Sequence, residues 1–133
     1  MINTPKLTKN KEIGNLGEDM ATKFLVEHGF KVIERNYWHK LGELDIVAKK
    51  DGMLHFVEVK TLQGRGGGIH ETAFSPEDNM NYGKRSRMAR IIEIYLNNRR
   101  VPENQDWQAD LISIVLGPGR EAANLDFLED ICL

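Results

Sequence analysis

Three residues in the segment GELDIVAKKDGMLHFVEVK, from Gly42 to Lys60, have types and spacing suited to chemistry: Asp45, Glu58 and Lys60. Both acids interrupt otherwise apolar stretches. Two carboxylates that face each other suit a divalent cation, because Mg²⁺ takes carboxylate oxygens at about 2.0–2.1 Å and usually keeps waters and substrate phosphate in its other positions. Lys60 lies two residues beyond Glu58, so in a strand its side chain emerges on the same face, within reach of a phosphate or a water at the metal. The chemistry this set would support is hydrolysis of a phosphoryl ester. A metal there generates a nucleophile from water and neutralises charge on the phosphoryl group in its transition state.

Whether the acids meet depends on the turn between them. Asp51 and Gly52 as the central pair of a type I′ turn give a two-residue hairpin loop. Lys50 then faces Met53, Val47 faces Phe56, Ile46 faces Val57, Asp45 faces Glu58 and Glu43 faces Lys60. Directly opposed residues have Cβ atoms about 4.5–5.5 Å apart, and like charges there destabilise a sheet unless something compensates. KDG also suits a three-residue loop with a bulged Gly52, which would shift the pairing by one and send Asp45 and Glu58 to opposite faces. The plain alternative to a metal site is that Glu58 and Lys60 are solvated residues on the polar face of a one-sided strand.

The elements that must position these residues follow from hydrophobic spacing. Ile13, Leu16, Met20, Phe24 and Leu25 mark one side of a helix over Glu12 to His28, stopped by Gly29. Phe30 to Trp38 reads as a first strand, followed by the hairpin. Gln63 to Gly83 is rich in Gly, Asn and Ser and reads as a long flexible loop. Met88, Ile91, Ile92, Tyr95 and Leu96 mark a second amphipathic helix, and Trp107 to Gly117 reads as a strand buried on both faces. The end, EAANLDFLEDICL, fits either a short helix or an edge strand. The order α, β, β, β, loop, α, β predicts an α/β fold with helices against a mixed central sheet.

Asp45, Glu58 and Lys60 also resemble the PD-(D/E)xK signature of restriction-endonuclease-like nucleases. GNLGEDMATKFLVEHGFKVIERNYW (Gly14 to Trp38), then GELDIVAKKDGMLHFVEVKT (Gly42 to Thr61), then a Lys-led helix and a strand with Asp110, are together similar to the small bacterial YraN-like proteins. That uncharacterised family is related in fold to archaeal Holliday-junction resolvases. The resemblance covers roughly the first 115 residues. It implies a restriction-endonuclease-like core with a mixed central sheet flanked by helices, Asp45 and Glu58 as metal ligands, the Val59 carbonyl as a third, and Lys60 as the catalytic lysine. Glu18 matches an acid of helix one that points toward the metal site in related resolvases. By spacing alone Glu18 sits at the edge of the apolar stripe, leaning either toward the sheet end or into solvent. The chain departs from the family where EVKTR is usual: Leu62 follows Thr61, and the next arginine is Arg65.

Other residues carry weaker signals. Asp110, flanked by apolar residues, reads either as a buried acid paired with an Arg or Lys or as a catalytic residue. Lys84, Arg85, Arg87, Arg90, Arg99 and Arg100 either hold phosphates or form a solvated helix face. The glycines of QGRGGG lack a P-loop's closing Lys and Ser/Thr and read as a flexible strap. His28, His39, His55 and His70 show no ligand pattern, and His55 is expected on the hairpin face opposite Glu58. Tyr37, Trp38 and Phe74 are either base-stacking or core aromatics.

Composition sets outer bounds. A chain of 133 residues fits one domain, residues 1–133. It is 41% hydrophobic and 29% charged, with no apolar run long enough for a membrane span. The N-terminal MINTPKLTKNKE has no apolar core, so a cytoplasmic protein without a secretory signal is expected. The single cysteine, Cys132, has no disulfide or metal partner in the pattern. A net charge of −2 excludes a basic body that coats nucleic acid, although the stretch from Lys84 to Arg100 is locally basic. The expected function is a Mg²⁺- or Mn²⁺-dependent nuclease acting on DNA, at branched or otherwise unpaired structures. A homodimer would enlarge the basic footprint and suit a two-fold junction. The alternatives are a non-catalytic module, binding nucleic acid or a protein on a nuclease-like fold, and a structural protein whose acids are merely paired.

Overall fold

The computed structural model describes residues 9–64 and 82–133. Most of the expected loop at 63–83, with Arg65, the triple glycine, His70 and Phe74, lies outside the described residues. The remainder is a five-stranded mixed sheet with a helix on each face. In chain order the elements are α1 (Lys9–Glu27), β1 (Lys31–His39), β2 (Gly42–Lys50), β3 (Met53–Gln63), α2 (Tyr82–Asn98), β4 (Trp107–Leu116) and β5 (Ala122–Leu128). The strands lie side by side in sequence order. Only the β3–β4 pair is parallel, and α2 makes the crossover between them. The expected α/β architecture, a mixed sheet flanked by helices, is what the chain forms, and the tail resolves as the edge strand β5.

Helix ends follow their local chemistry. Gly29 takes a φ of 87°, the Phe30 amide donates to the Leu25 carbonyl at 2.9 Å and the Gly29 amide to Val26 at 3.1 Å, a Schellman cap. Phe30 and Leu25 are both buried in the same cluster, which supplies the apolar contact that accompanies such a cap. At the end of α2 the same pattern recurs without glycine: Arg100 has a φ of 51°, and the Val101 amide reaches the Leu96 carbonyl at 2.9 Å.

The two faces of the sheet carry separate cores. Against α1, Ala21 and Leu25 pack with Ile46, Ala48, Val57, Ile112 and Ile114. Against α2, Met88, Ile91, Ile92 and Tyr95 pack with Leu44, Val47 and Phe56. β4 is buried from Ala109 to Leu116, as its continuous apolar run requires. The β2–β3 turn is the two-residue type I′ form: Asp51 and Gly52 have φ of 49° and 80°. The pairs Lys50↔Met53 through Ile46↔Val57 follow the register that this turn dictates. The single-residue shift of a bulged Gly52 does not occur.

α1 lies close to β3 at one point. A Cβ built on Gly17 would collide with the side chain of Thr61, whereas one on Gly14 meets nothing within 4 Å among the described residues. Gly14→Ala should therefore gain up to about 1 kcal/mol from helix propensity. Gly17→Ala should lose about 1–3 kcal/mol through overpacking that outweighs the same propensity gain. Urea unfolding of the two variants checks both signs.

Candidate active site

The acids gather where the pleat of the sheet changes phase. In a regular strand residues two apart share a face. Leu44 instead packs toward α2 while Ile46 packs toward α1. Their partners in β1 behave alike: Tyr37, opposite Leu44, is buried on the α2 side, whereas Arg35, opposite Ile46, reaches Asp19 of α1 at 2.8 Å. Between them Asn36 takes a left-handed φ of 53°, a conformation that Asn tolerates better than most residues. The phase change brings Asn36, Glu43 and Asp45 to the α1 face together, beneath Glu18.

Carboxylate oxygens of Glu18, Glu43 and Asp45 lie within 4.8 Å of one another. With its amide oriented to suit its neighbours, Asn36 donates to Glu18 Oε1 at 2.8 Å and Glu43 Oε1 at 3.1 Å. The recorded β2–β3 pairs end at Ile46 and Val57, and Asp45 Oδ2 instead accepts the Val59 N–H at 2.8 Å. Glu58 on the adjacent strand lies in the same cleft, close enough for the Asp45 charge to act on it. A cleft of about 500 Å³ opens over Glu18, Asn36, Glu43, Asp45, Glu58 and Val59. Two further clefts meet it at Glu58. One is lined by Lys60 and Lys84, and the other by Lys84 and Arg87.

Burial and mutual repulsion dominate the electrostatics of the cluster. Burial and the nearby Asp45 charge push the Glu58 carboxyl up to about 8, with Lys84 pulling the other way. Burial, then the Asp45 and Glu43 charges, pushes Glu18 up to about 7, partly offset by Arg35. Asp45 is raised mainly by burial, against the lowering effect of the Val59 N–H. Shifts of this kind favour the neutral carboxyls, and a bound cation would favour the charged ones. Hard carboxylate oxygens with a backbone carbonyl nearby are the donor type that Mg²⁺ and Mn²⁺ take, so the residues present fit such an ion. Asp45 and Glu58 from the residue pattern, with Val59 and Glu18 from the resemblance, are brought to one cleft, and Lys60 lines the adjoining one.

Two members escaped sequence reasoning. Simple pairing puts Glu43 opposite Lys60, but the β2–β3 pairs end at Ile46 and Val57, and the register partner of Glu43 is Trp38 in β1. Asn36 carried no signal except its place in ERNYW, since only the fold gives it a left-handed backbone.

The basic run divides. Lys84 and Arg87, three apart on α2, face the clefts at Glu58. Arg85 turns toward Cys132 and Leu133, and Arg90 is exposed. Arg99 forms a two-pronged pair with Glu34, at 3.0 and 2.7 Å, and stacks over Tyr37. Tyr37 is thereby a core aromatic, while Trp38 is exposed.

Asp110 is buried and paired, but its partner is a histidine rather than an Arg or Lys. Its Oδ2 lies 2.6 Å from His55 Nδ1, while its Oδ1 accepts from Gln108 at 2.8 Å and from the Asp130 amide at 2.9 Å. The network ties the C-terminal segment to β4 and satisfies an acid that the strand could not otherwise bury. His55 packs edge-on to Phe30, on the face opposite Glu58 as expected.

Carboxyls whose folded pKa is raised stabilise the fold fully below their unfolded value, and that contribution is lost as pH rises through the folded value. Without added metal, stability should fall from about pH 4.5 to about pH 8, the window between the ordinary glutamate value and the shifted values of Glu18 and Glu58. Glu58→Gln should flatten the slope. Urea midpoints measured across this range in a chelator test it, and equal slopes for both proteins would contradict the raised Glu58 carboxyl.

Comparison with known sequences agrees with the motif pattern. Residues 17–114 match the model of the family described as "Uncharacterised protein family UPF0102". A UPF0102 protein of Dictyoglomus turgidum is 40% identical over 119 residues, covering 90% of this chain and 95% of that protein. One from Campylobacter hominis is 34% identical over 125 residues, covering 94% and 97%. A third, from Roseiflexus castenholzii, is 31% identical over 120 residues, covering 90% and 92%. With nearly the whole chain aligned to these relatives and Glu18, Asp45, Glu58, Lys60 and Asp110 inside the matched range, the protein belongs to the UPF0102 family, the YraN-like family of its sequence motifs.

Proposed function

We propose that this protein is a metal-dependent nuclease that hydrolyses phosphodiester bonds in DNA. The observation that carries the reading is the convergence of Glu18, Glu43, Asp45 and Glu58 on one cleft, where burial and acidic neighbours raise the Glu18 and Glu58 carboxyls. Asp45, Glu58 and the Val59 carbonyl would hold Mg²⁺ or Mn²⁺, with Glu18 and Glu43 as further oxygen donors. When bound, the ion would supply Lewis acidity and promote deprotonation of water.

The chain's own groups complete the site. Asp45 fixes β3 through the Val59 N–H, which sets the height of Glu58 and Lys60 relative to β2. Lys60 follows Glu58 by two residues on β3, so its ammonium projects from the same face, where it orients water and stabilises negative charge on the phosphoryl oxygens. Lys84 and Arg87 lie on the other side of Glu58, positioned to hold phosphates flanking the scissile one. Arg85 and Arg90 belong to the same helix but do not line these clefts with Glu58, so their contribution to nucleic-acid binding is smaller.

Calorimetric titration with Mn²⁺ and cleavage of branched, single-stranded and duplex DNA test the reading together. Wild type should bind the ion and cleave at least one substrate. Asp45→Asn should lose both, while Lys60→Ala should keep ion binding and lose about 10²-fold or more in cleavage rate, the scale of one transition-state charge contact. Metal-independent DNA binding without cleavage of any of these substrates would overturn the nuclease and favour a binding module.

A further inference from the structure

The indole of Trp38 is 71% exposed, the most exposed large apolar side chain among the described residues. Its neighbour Tyr37 is buried in the α2-side core, so alternation along β1 sends Trp38 to the α1 face. That face carries the acid cluster. Trp38 pairs directly with Glu43 across the β1–β2 ladder and stands two residues beyond Asn36, which hydrogen-bonds both Glu43 and Glu18. Cross-strand partners place their Cβ atoms about 4.5–5.5 Å apart. A large, flat, solvent-facing aromatic surface therefore borders the carboxylates on the side away from β3. The fold does not need it there: the two core clusters close without Trp38.

We propose that Trp38 is the stacking platform for an unpaired nucleobase next to the phosphate bound at the acid cluster, which makes single-stranded or frayed segments of nucleic acid the preferred ligand. The inference rests on the nuclease reading and gives its site a substrate class. The position favours a base over other occupants, because Trp38 pairs across the ladder with Glu43, a lining residue of the carboxylate cleft, while the neighbouring clefts that meet it at Glu58 carry Lys60, Lys84 and Arg87. A phosphate held between them leaves its attached nucleoside to meet the nearest flat apolar surface. A base in a duplex has both faces covered by its neighbours, so only an unpaired or unstacked base offers a free face to the indole.

The test uses the full chain with Ca²⁺ in place of Mg²⁺ to hold the complex without turnover. The probes are a forked DNA with 2-aminopurine in its single-stranded arm and a blunt duplex of the same sequence. Wild type should bind the fork more tightly and quench 2-aminopurine. Trp38→Ala should lose about 5- to 150-fold in affinity for the fork, the range of one base–aromatic stack, together with the quenching. Trp38→Phe should retain most of both, and duplex affinity should not change. Equal fork affinity and quenching for wild type and Trp38→Ala would overturn the stacking site while leaving the nuclease reading in place. Absence of binding to either probe by wild type would overturn both. Sedimentation of the free proteins gives the remaining arm: a wild-type dimer that Trp38→Ala dissociates would assign the indole to an interface between two copies and overturn the base site.

Discussion

Carboxylates crowded at a strand junction repel one another, and the local architecture of this protein follows from how that repulsion is contained. Two full charges about 4 Å apart cost about 4 kcal/mol at an effective dielectric of 20, against a total domain stability of about 5–15 kcal/mol. Burial and this repulsion together disfavour the charged forms of Glu18, Asp45 and Glu58. The protein meets part of that cost with dipoles and distant cations: the Val59 N–H on Asp45, the Asn36 amide on Glu18 and Glu43, Arg35 near Glu18 and Lys84 near Glu58. The remainder raises the Glu18 and Glu58 carboxyls, by burial and by their acidic neighbours. Crowded, half-buried carboxylates of this kind are the donor set that the proposed Mg²⁺ or Mn²⁺ would use.

The scaffold tolerates this because the two cores lie to either side of the junction. Ile46 and Val57 close the last regular pair of β2 and β3, and beyond them the ladder gives way to the Asp45 contact with Val59. Opening a ladder in the middle of a sheet would leave backbone groups unsatisfied. Here a carboxylate takes the role of a ladder acceptor, so one acid both fills the gap and belongs to the site. The left-handed Asn36 does comparable work on β1, turning its strand so that three polar side chains face α1 while Tyr37 remains in the α2-side core.

The basic residues of α2 show how a charge run dissolves into separate roles once folded. Lys84 and Arg87 share a helical face with Met88 and Ile91 and so inherit the view onto Glu58. Arg99, at the other end, is held by Glu34 and by the rings of Tyr37 and Tyr95. A net charge of −2 spread in this way leaves a positive margin around a negative centre.

Much of this was legible in the sequence because it depends on neighbours along the chain. The DG turn dictated its own register, since type I′ geometry needs positive φ at two successive residues and Asp-Gly supplies it. Helix spacing and the Gly29 stop placed α1, and the apolar run from Trp107 placed β4. Asp45, Glu58 and Lys60 could be read as a set because one hairpin carries all three. What only the tertiary structure decided were relations across the chain: that Asn36 and Glu43 join the cluster through a change of pleat, that Asp110 finds His55 rather than an Arg or Lys, that the tail becomes a strand, and that Trp38 stays outside while Tyr37 goes in. Turn chemistry and periodicity act over a few residues, so a sequence displays them directly. Burial, strand phase and the choice of an ion-pair partner arise only when distant segments compete for the same space.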